Sequence, residues 1–188
     1  MNPSNALFTI FDFQLSSSHQ ALLTKHVELV HFASNEMILL EGETPYHLYY
    51  VISGIVRGLY SNEAGEEYTK CFATEHHFFS SEGLRTGKEA SFSIECIQKC
   101  TCFKIPYTVI HQLSNEDKRI EKMIRKLYTD EVAKLEKREK MLLFSSAEKR
   151  YLHFQHIYPK LHAQVPLMYI ASYIGIQSSS LSRIRKKL

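Results

Sequence analysis

Ser178, Ser179, Ser180, Ser182, Arg183, Lys186 and Lys187 lie within ten residues near the end of this 188-residue chain, with no carboxylate among them. Small hydroxyl side chains let a backbone approach a surface closely, a guanidinium fork takes two acceptors on a guanine edge, and ammonium groups neutralise phosphates. The chemistry these types serve is recognition of a polyanion. Other reactive types are spaced less well for a shared task. His76 and His77 are adjacent, so on a strand they point to opposite faces and are badly placed to hold one ion with Glu82. His153 and His156 stand one helical turn apart, a spacing that permits a metal but more often marks a surface pair. The sequence predicts no metal site and no enzyme, and it names no cofactor.

The terminal cluster needs a scaffold, and the residues before it supply one. Ile170, Ala171 and Ile174, with Leu167, put one apolar stripe on a helix of about two turns. Gly175 accepts a left-handed backbone and stops that helix, Ile176 turns back toward the core, and a second helix starts near Gln177 or Ser178. In that helix Leu181, Ile184 and Leu188 share one side, while Ser179, Ser182, Arg183 and Lys186 share the other. This is the pattern of a helix-turn-helix, whose second helix enters the major groove of double-stranded DNA. The predicted DNA contacts are Gln177, Ser178, Ser179, Ser180, Ser182, Arg183, Lys186 and Lys187.

Charge is segregated in the same sense. Ser145 to Leu188 holds seven Lys/Arg against the single Glu148, which leaves residues 1 to 144 at −3 within a total of +3. A basic module joined to a near-neutral larger one fits a nucleic-acid or other anionic partner. At 44% hydrophobic and 23% charged the composition is that of an ordinary soluble chain. No run reaches the roughly 18 to 20 apolar residues of a membrane span, and "MNPSNALFTIFDF" has no basic region or cleavage site of a signal peptide. The expected compartment is the cytoplasm, with no membrane partner. Cys71, Cys96, Cys100 and Cys102 make no CxxC pair, and positions 96, 100 and 102 are expected on one face of a single strand as buried thiols.

From about Val27 the texture has period two. "MILLEGE", "HLYYVISGIVRGLYS", "EEYTKCFA" and "FSIECIQKCTCFKI" read as short strands between turn clusters, with "SNEAGEE" as a hairpin connection around Gly65. A short helix, "HQALLTKHVELV", precedes them after the serines Ser16 to Ser18. From Asn115, read as the cap, residues 115–144 form a helix of about 45 Å, and its apolar stripe, with Ile120, Ile124, Leu127 and Leu135 as candidate dimerisation residues, packs on the chain's own β domain, on the same helix of a second subunit, or on both. A further helix begins at Ser145 or Ser146. The expected fold is α+β: a β-roll sensor domain over 1–114 with a short N-terminal helix, a long connecting helix over 115–144, and a helix-turn-helix domain over 145–188.

On "LLEGETPYHLYYVISGIVRGLY" and "IASYIGIQSSSLSRIRKKL", bridged by that long helix, the chain resembles the cyclic-nucleotide-regulated transcription factors of the catabolite activator and fumarate-nitrate regulator type. The resemblance implies an antiparallel β-roll of the cyclic-nucleotide-binding kind, a parallel homodimer, control of transcription with RNA polymerase as a further partner, and a small-molecule effector of unknown identity. It also marks an effector region, "SSEGLRTGKEASFSIE". Glu82, Gly83, Arg85 and Ser91 are its candidate contacts, but Ala90 stands where the family's nucleotide-binding members carry the arginine that holds the cyclic phosphate. Cyclic AMP is therefore not the expected ligand by the usual contacts. No cysteine precedes Cys71, so the N-terminal iron-sulfur ligands of the fumarate-nitrate branch are missing. Ser178 and Ser179 stand where the family often has arginine and glutamate, and many members continue into a β-hairpin wing beyond the position of Leu188. The reading from another class is a ligand-binding regulatory module whose terminal helices dock on protein.

Overall fold

The computed structural model describes residues 3–188, with side chains from residue 6 onward. Met1 and Asn2, at the start of the expected sensor domain, lie outside the described residues. The chain forms two compact units, Met1–Tyr60 with Cys71–Glu121, and Ser61–Lys70 with Lys122–Leu188.

Helices α1 (Pro3–Phe8) and α2 (Ser17–His26) precede eight strands: β1 (Glu28–Phe32), β2 (Met37–Leu39), β3 (His47–Ser53), β4 (Val56–Ser61), β5 (Glu67–Ala73), β6 (Phe78–Phe79), β7 (Ser93–Cys96) and β8 (Cys100–Pro106), all in the first unit except Ser61 of β4 and residues 67–70 of β5. A single turn, α3 (Gly83–Thr86), lies between β6 and β7. Ser16 caps α2, its hydroxyl accepting from the His19 N–H at 3.2 Å. The strands make two four-stranded sheets in the orders β1-β8-β3-β6 and β2-β7-β4-β5. Val51, Val56, Phe92, Ile94, Cys96, Cys100 and Cys102 form one buried cluster of the β-roll. Gly54 joins β3 to β4 at φ +104°, and a Cβ there would stand 2.5 Å from the Lys99 carbonyl oxygen, so only glycine fits.

The thiols correct the expectation of a single strand. Cys96 ends β7 in one sheet, whereas Cys100 and Cys102 belong to β8 in the other, because Ile97–Lys99 carry the chain across. All three still point into the shared core, so the side-chain periodicity was read correctly and the backbone was not. Burial pushes the Cys102 thiol up to about 12. Cys96 and Cys100 share a hydrogen bond that raises the first thiol and lowers the second.

The long helix also starts differently from expectation. Asn115 does not cap it; it lies in the last turn of α4 (Tyr107–Glu116), and Asp117 is extended at φ −132° before α5 (Lys118–Phe144) begins. The Asp117 carboxylate accepts from the Arg119 N–H at 2.9 Å, which restarts the helix, and pairs with the Arg119 guanidinium at 2.7 Å. Hydrogen bonding to Arg119 holds this carboxyl at about 2. Arg119 also lies 4.6 Å over the Phe13 ring, and His19 approaches Glu116 at 3.3 Å. Ile120 is 0% exposed and belongs to the first unit, so it packs in its own chain and is corrected out of the dimerisation stripe.

The second unit contains the rest of α5, followed by α6 (Ala147–Ile157), α7 (Leu161–Gln164), α8 (Leu167–Tyr173) and α9 (Ser178–Lys187). Ser146 caps α6, accepting from the Lys149 N–H. Tyr151, Phe154, Leu161, Val165, Ile170, Ala171, Ile174 and Leu181 are buried there. The hairpin tip 61–70 belongs to the same unit; Asn62 Oδ1 organises it by accepting from the Ala64 and Glu66 N–H groups around Gly65 at φ +77°.

Candidate nucleic-acid interface

The end of α8 accounts for how the serine-rich helix is aimed. Gly175 takes φ +69°, and a Cβ there would come within 2.9 Å of Leu142 Cδ2. The Ile176 N–H donates to the Ala171 carbonyl at 3.0 Å and the Gly175 N–H to the Ser172 carbonyl at 3.1 Å, the paired bonds of a Schellman ending. Behind this ending, the Tyr173 ring lies between the Arg138 guanidinium at 4.7 Å and the rings of Phe154 and Tyr158 at 5.6 and 6.0 Å. Ser172 Oγ accepts from the Thr69 N–H of the hairpin tip at 2.8 Å.

On α9, Leu181 is fully buried and Ile184 half-buried, so the stripe expected on the inner side is present. Leu188 departs from it and is exposed, because the helix ends at Lys187. Gln177, Ser178, Ser179, Arg183, Lys186 and Lys187 are exposed; Ser180 and Ser182 are half-buried at the flank. Gln177 occupies the cap position with no side-chain hydrogen bond, leaving the first N–H groups of α9 without that partner. The Arg183 Nη2 donates to Ser180 Oγ at 3.4 Å, and among the described residues none of Arg183, Arg185, Lys186 and Lys187 has a carboxylate partner. An unpaired cationic face beside open N–H groups attracts anions.

Two arginines of the β-roll are paired with carboxylates instead. Arg57 on β4 and Glu95 on β7 are register partners, paired at 2.6 Å with the arginine 1% exposed. Glu82 Oε1 accepts from Arg85 Nε at 2.8 Å and also from Arg85 Nη2, so two of the candidate effector contacts engage each other. Gly83 is buried, and a Cβ on it would stand 2.3 Å from the Lys88 carbonyl oxygen. Ser91 is exposed. A separate shallow cleft of about 170 Å³ is lined by residues including Leu39, Glu43, Tyr46, His47, Tyr49 and Ser80, and by none of the four candidates. Burial and Lys104 lower the His47 pKa there, against the opposing pull of Glu28.

Residues 29–117, just under half of the chain, match the cyclic nucleotide-binding domain family. The match runs through the β-roll, from β1 to the end of α4. Solved structures extend the likeness to both units. FixK2 from Bradyrhizobium japonicum superposes with a TM-score of 0.77 at 18% identity, covering 86% of this chain and 84% of that one. The c-di-GMP-responsive global regulator CLP of Xanthomonas campestris gives 0.72 at 19%, covering 92% and 91%. A protein of the crp/fnr family from Eubacterium rectale gives 0.75 at 14%, covering 95% and 87%. At these identities the likeness is one of fold. No curated protein matches the sequence.

Within the β-roll, Ala90 is 3% exposed, and its backbone is tied to Glu43 and Gly42 by bonds of 2.8 and 2.9 Å. A methyl group buried there supplies no positive charge for a cyclic phosphate. Among the described residues no three His, Cys, Asp or Glu side chains converge on a metal position. His76, at φ +67°, directs Nδ1 to the Tyr50 hydroxyl at 3.1 Å, while His77 turns to Thr74. His153 and His156 stack at 6.5 Å on α6, and burial, Lys137 and His156 lower the His153 pKa. Among the described residues no helix is long and apolar enough to cross a membrane.

The sequence reading missed Arg57, Arg138 and Arg150. A lone arginine inside the apolar run "GIVRGLY" was a visible signal for the first. Nothing local marks the other two, since their partners are backbone carbonyls, those of Arg138 distant in sequence and those of Arg150 both near, at Leu142 and Ser145, and distant, at Gly175.

Proposed function

We propose that this chain is a DNA-binding transcriptional regulator of the Crp/Fnr type whose β-roll does not use the family's usual cyclic-phosphate contacts. The observation that carries the reading is the outward face of α9, cationic, free of carboxylate partners and aimed by a left-handed turn at Gly175. Arg183 reads a base edge, the serines permit close approach, and Lys186 and Lys187 neutralise phosphates. Val132 and Leu135 leave an exposed apolar stripe on α5, flanked by the half-buried Ile124 and Leu127, which a second copy covers. The homodimer presents two α9 helices to half-sites about 34 to 36 Å apart. Effector binding shifts the pair between arrangements that fit or miss this spacing, provided that the effector favours one arrangement. Promoter occupancy by such a dimer brings RNA polymerase within reach as a partner.

The test is enrichment of duplexes from a random pool by the full chain, followed by affinity measurement against salt. The expected result is a two-fold symmetric consensus, bound by a dimer, with a log–log salt slope of about −0.9 per phosphate contact. Failure to enrich any duplex at low salt overturns the reading and moves protein docking by the terminal helices ahead of it.

A further inference from the structure

Helix ends expose carbonyl groups that lack an intrahelical partner, and these carry the negative pole of the helix. At the end of α8, the carbonyls of Ile170, Ala171 and Ser172 accept from Ile174, Ile176 and Gly175. Two arginines from other helices serve the carbonyls that follow. Arg138 of α5 donates to the Tyr173 carbonyl from Nε at 3.1 Å and from Nη2 at 2.9 Å. Arg150 of α6 donates to the Gly175 carbonyl from Nη2 at 3.5 Å, in the turn itself. The same Arg150 guanidinium donates from Nη1 to the Leu142 carbonyl at 3.1 Å and to the Ser145 carbonyl at 3.2 Å, where α5 ends. Leu142 also carries the methyl group that faces Gly175.

We infer that Arg150 is a positioning residue for DNA recognition: one guanidinium caps α5 and the turn before α9, and so fixes the direction of α9 relative to α5. The inference rests on the DNA-binding reading and deepens it, since Arg150 needs no contact with DNA to set specificity. A planar fork with five donors reaches three carbonyls at once, whereas a lysine ammonium is a point charge on a flexible stem. Base readout depends on the angle at which α9 enters the groove. Phosphate attraction depends mainly on the charge that α9 carries.

The experiment compares wild type, Arg150→Met and Arg150→Lys on a duplex enriched by the wild-type full chain and on an unrelated duplex of equal length. Arg150→Met is expected to lose about tenfold or more in affinity for the enriched duplex, the scale of one or two mismatched base pairs. Its affinity for the unrelated duplex stays within about twofold, and its salt slope is unchanged, because no phosphate contact is lost. Arg150→Lys recovers part of the specificity. A parallel readout uses no DNA: spin labels at positions 134 and 185 give a narrow distance distribution in wild type that broadens in Arg150→Met. Equal loss on both duplexes with a lowered melting temperature assigns Arg150 a merely structural role and overturns the inference, as does a slope reduced by about one or an unchanged distance distribution. If Arg150→Met does not fold, Arg150→Lys decides, with wild-type specificity and distances counting against the inference. Wild type enriching no duplex removes the DNA-binding reading, while the distance measurement separately reports whether the double cap holds α9.

Discussion

The β-roll and α9 both carry arginines, and they treat them in opposite ways. Arg57 is sealed against Glu95 in the sheet and Arg85 is held by Glu82 in the same helical turn, while Arg183 points outward with only a serine hydroxyl beside it. A charge that is neutralised by its own chain contributes to architecture, and one left open awaits a partner. The difference teaches that counting basic residues is a weak guide to an anion site. Their carboxylate partners are the better guide, and on the proposed reading the anion-facing surface is that of α9, where Arg183, Arg185, Lys186 and Lys187 have none among the described residues.

The largest effect that breaks this comparison is at the sealed pair. Arg57→Ala strands the Glu95 carboxylate and should lower stability by about 3 to 5 kcal/mol, read by urea denaturation, whereas the double change Arg57→Met with Glu95→Leu should be near neutral. A small cost for the single change would show that the pair is solvated and that the contrast with α9 is false. Next in size, Arg183→Ala should weaken binding to an enriched duplex by about 1 to 3 kcal/mol with an unchanged melting temperature. Wild-type affinity in that variant removes Arg183 from base readout. Smaller again, Lys186→Ala should weaken all duplexes alike and reduce the magnitude of the log–log salt slope by about 0.9. A loss confined to the enriched duplex would instead place Lys186 on a base.

The smallest effect concerns Asp117. Its folded pKa of about 2 lies below the ordinary aspartate value near 3.9, so the charged form stabilises the fold above that ordinary value, and the contribution is lost as pH falls from about 4 through about 2. Asp117→Asn keeps an oxygen able to cap α5 but removes the titration. Acid unfolding should then be shallower between pH 4 and 2, and an identical acid profile would mean that the Arg119 pair contributes nothing.

Much of this architecture was legible because its signals are local. Gly175 between two apolar stripes marks a turn, Ser16 and Ser146 each precede a helix that they do cap, and alternating residues before and after Gly65 mark a hairpin. Asp117 was not legible as a break, since no glycine or proline stands there and the restart depends on one carboxylate turning back to Arg119. Ile120 fits the stripe of α5 by spacing, yet it is buried within the first unit, a fact of packing that periodicity does not contain. The candidate contacts on α9 were readable for the same reason as the turn, being set by the helical period. Arg138 and Arg150 act on carbonyls 25 to 69 residues away as well as on near ones, and composition holds no trace of such bonds.

The placement of the thiols has a practical consequence. All four cysteines fall between positions 71 and 102, in the first unit, with three buried and Cys71 half-buried. Reaction with a maleimide therefore gauges opening of the β-roll alone: Cys71 labels first, and Cys96, Cys100 and Cys102 follow only when the two sheets part. The second unit, residues 61–70 and 122–188, holds no cysteine, so labelling reports on the first unit of the protein.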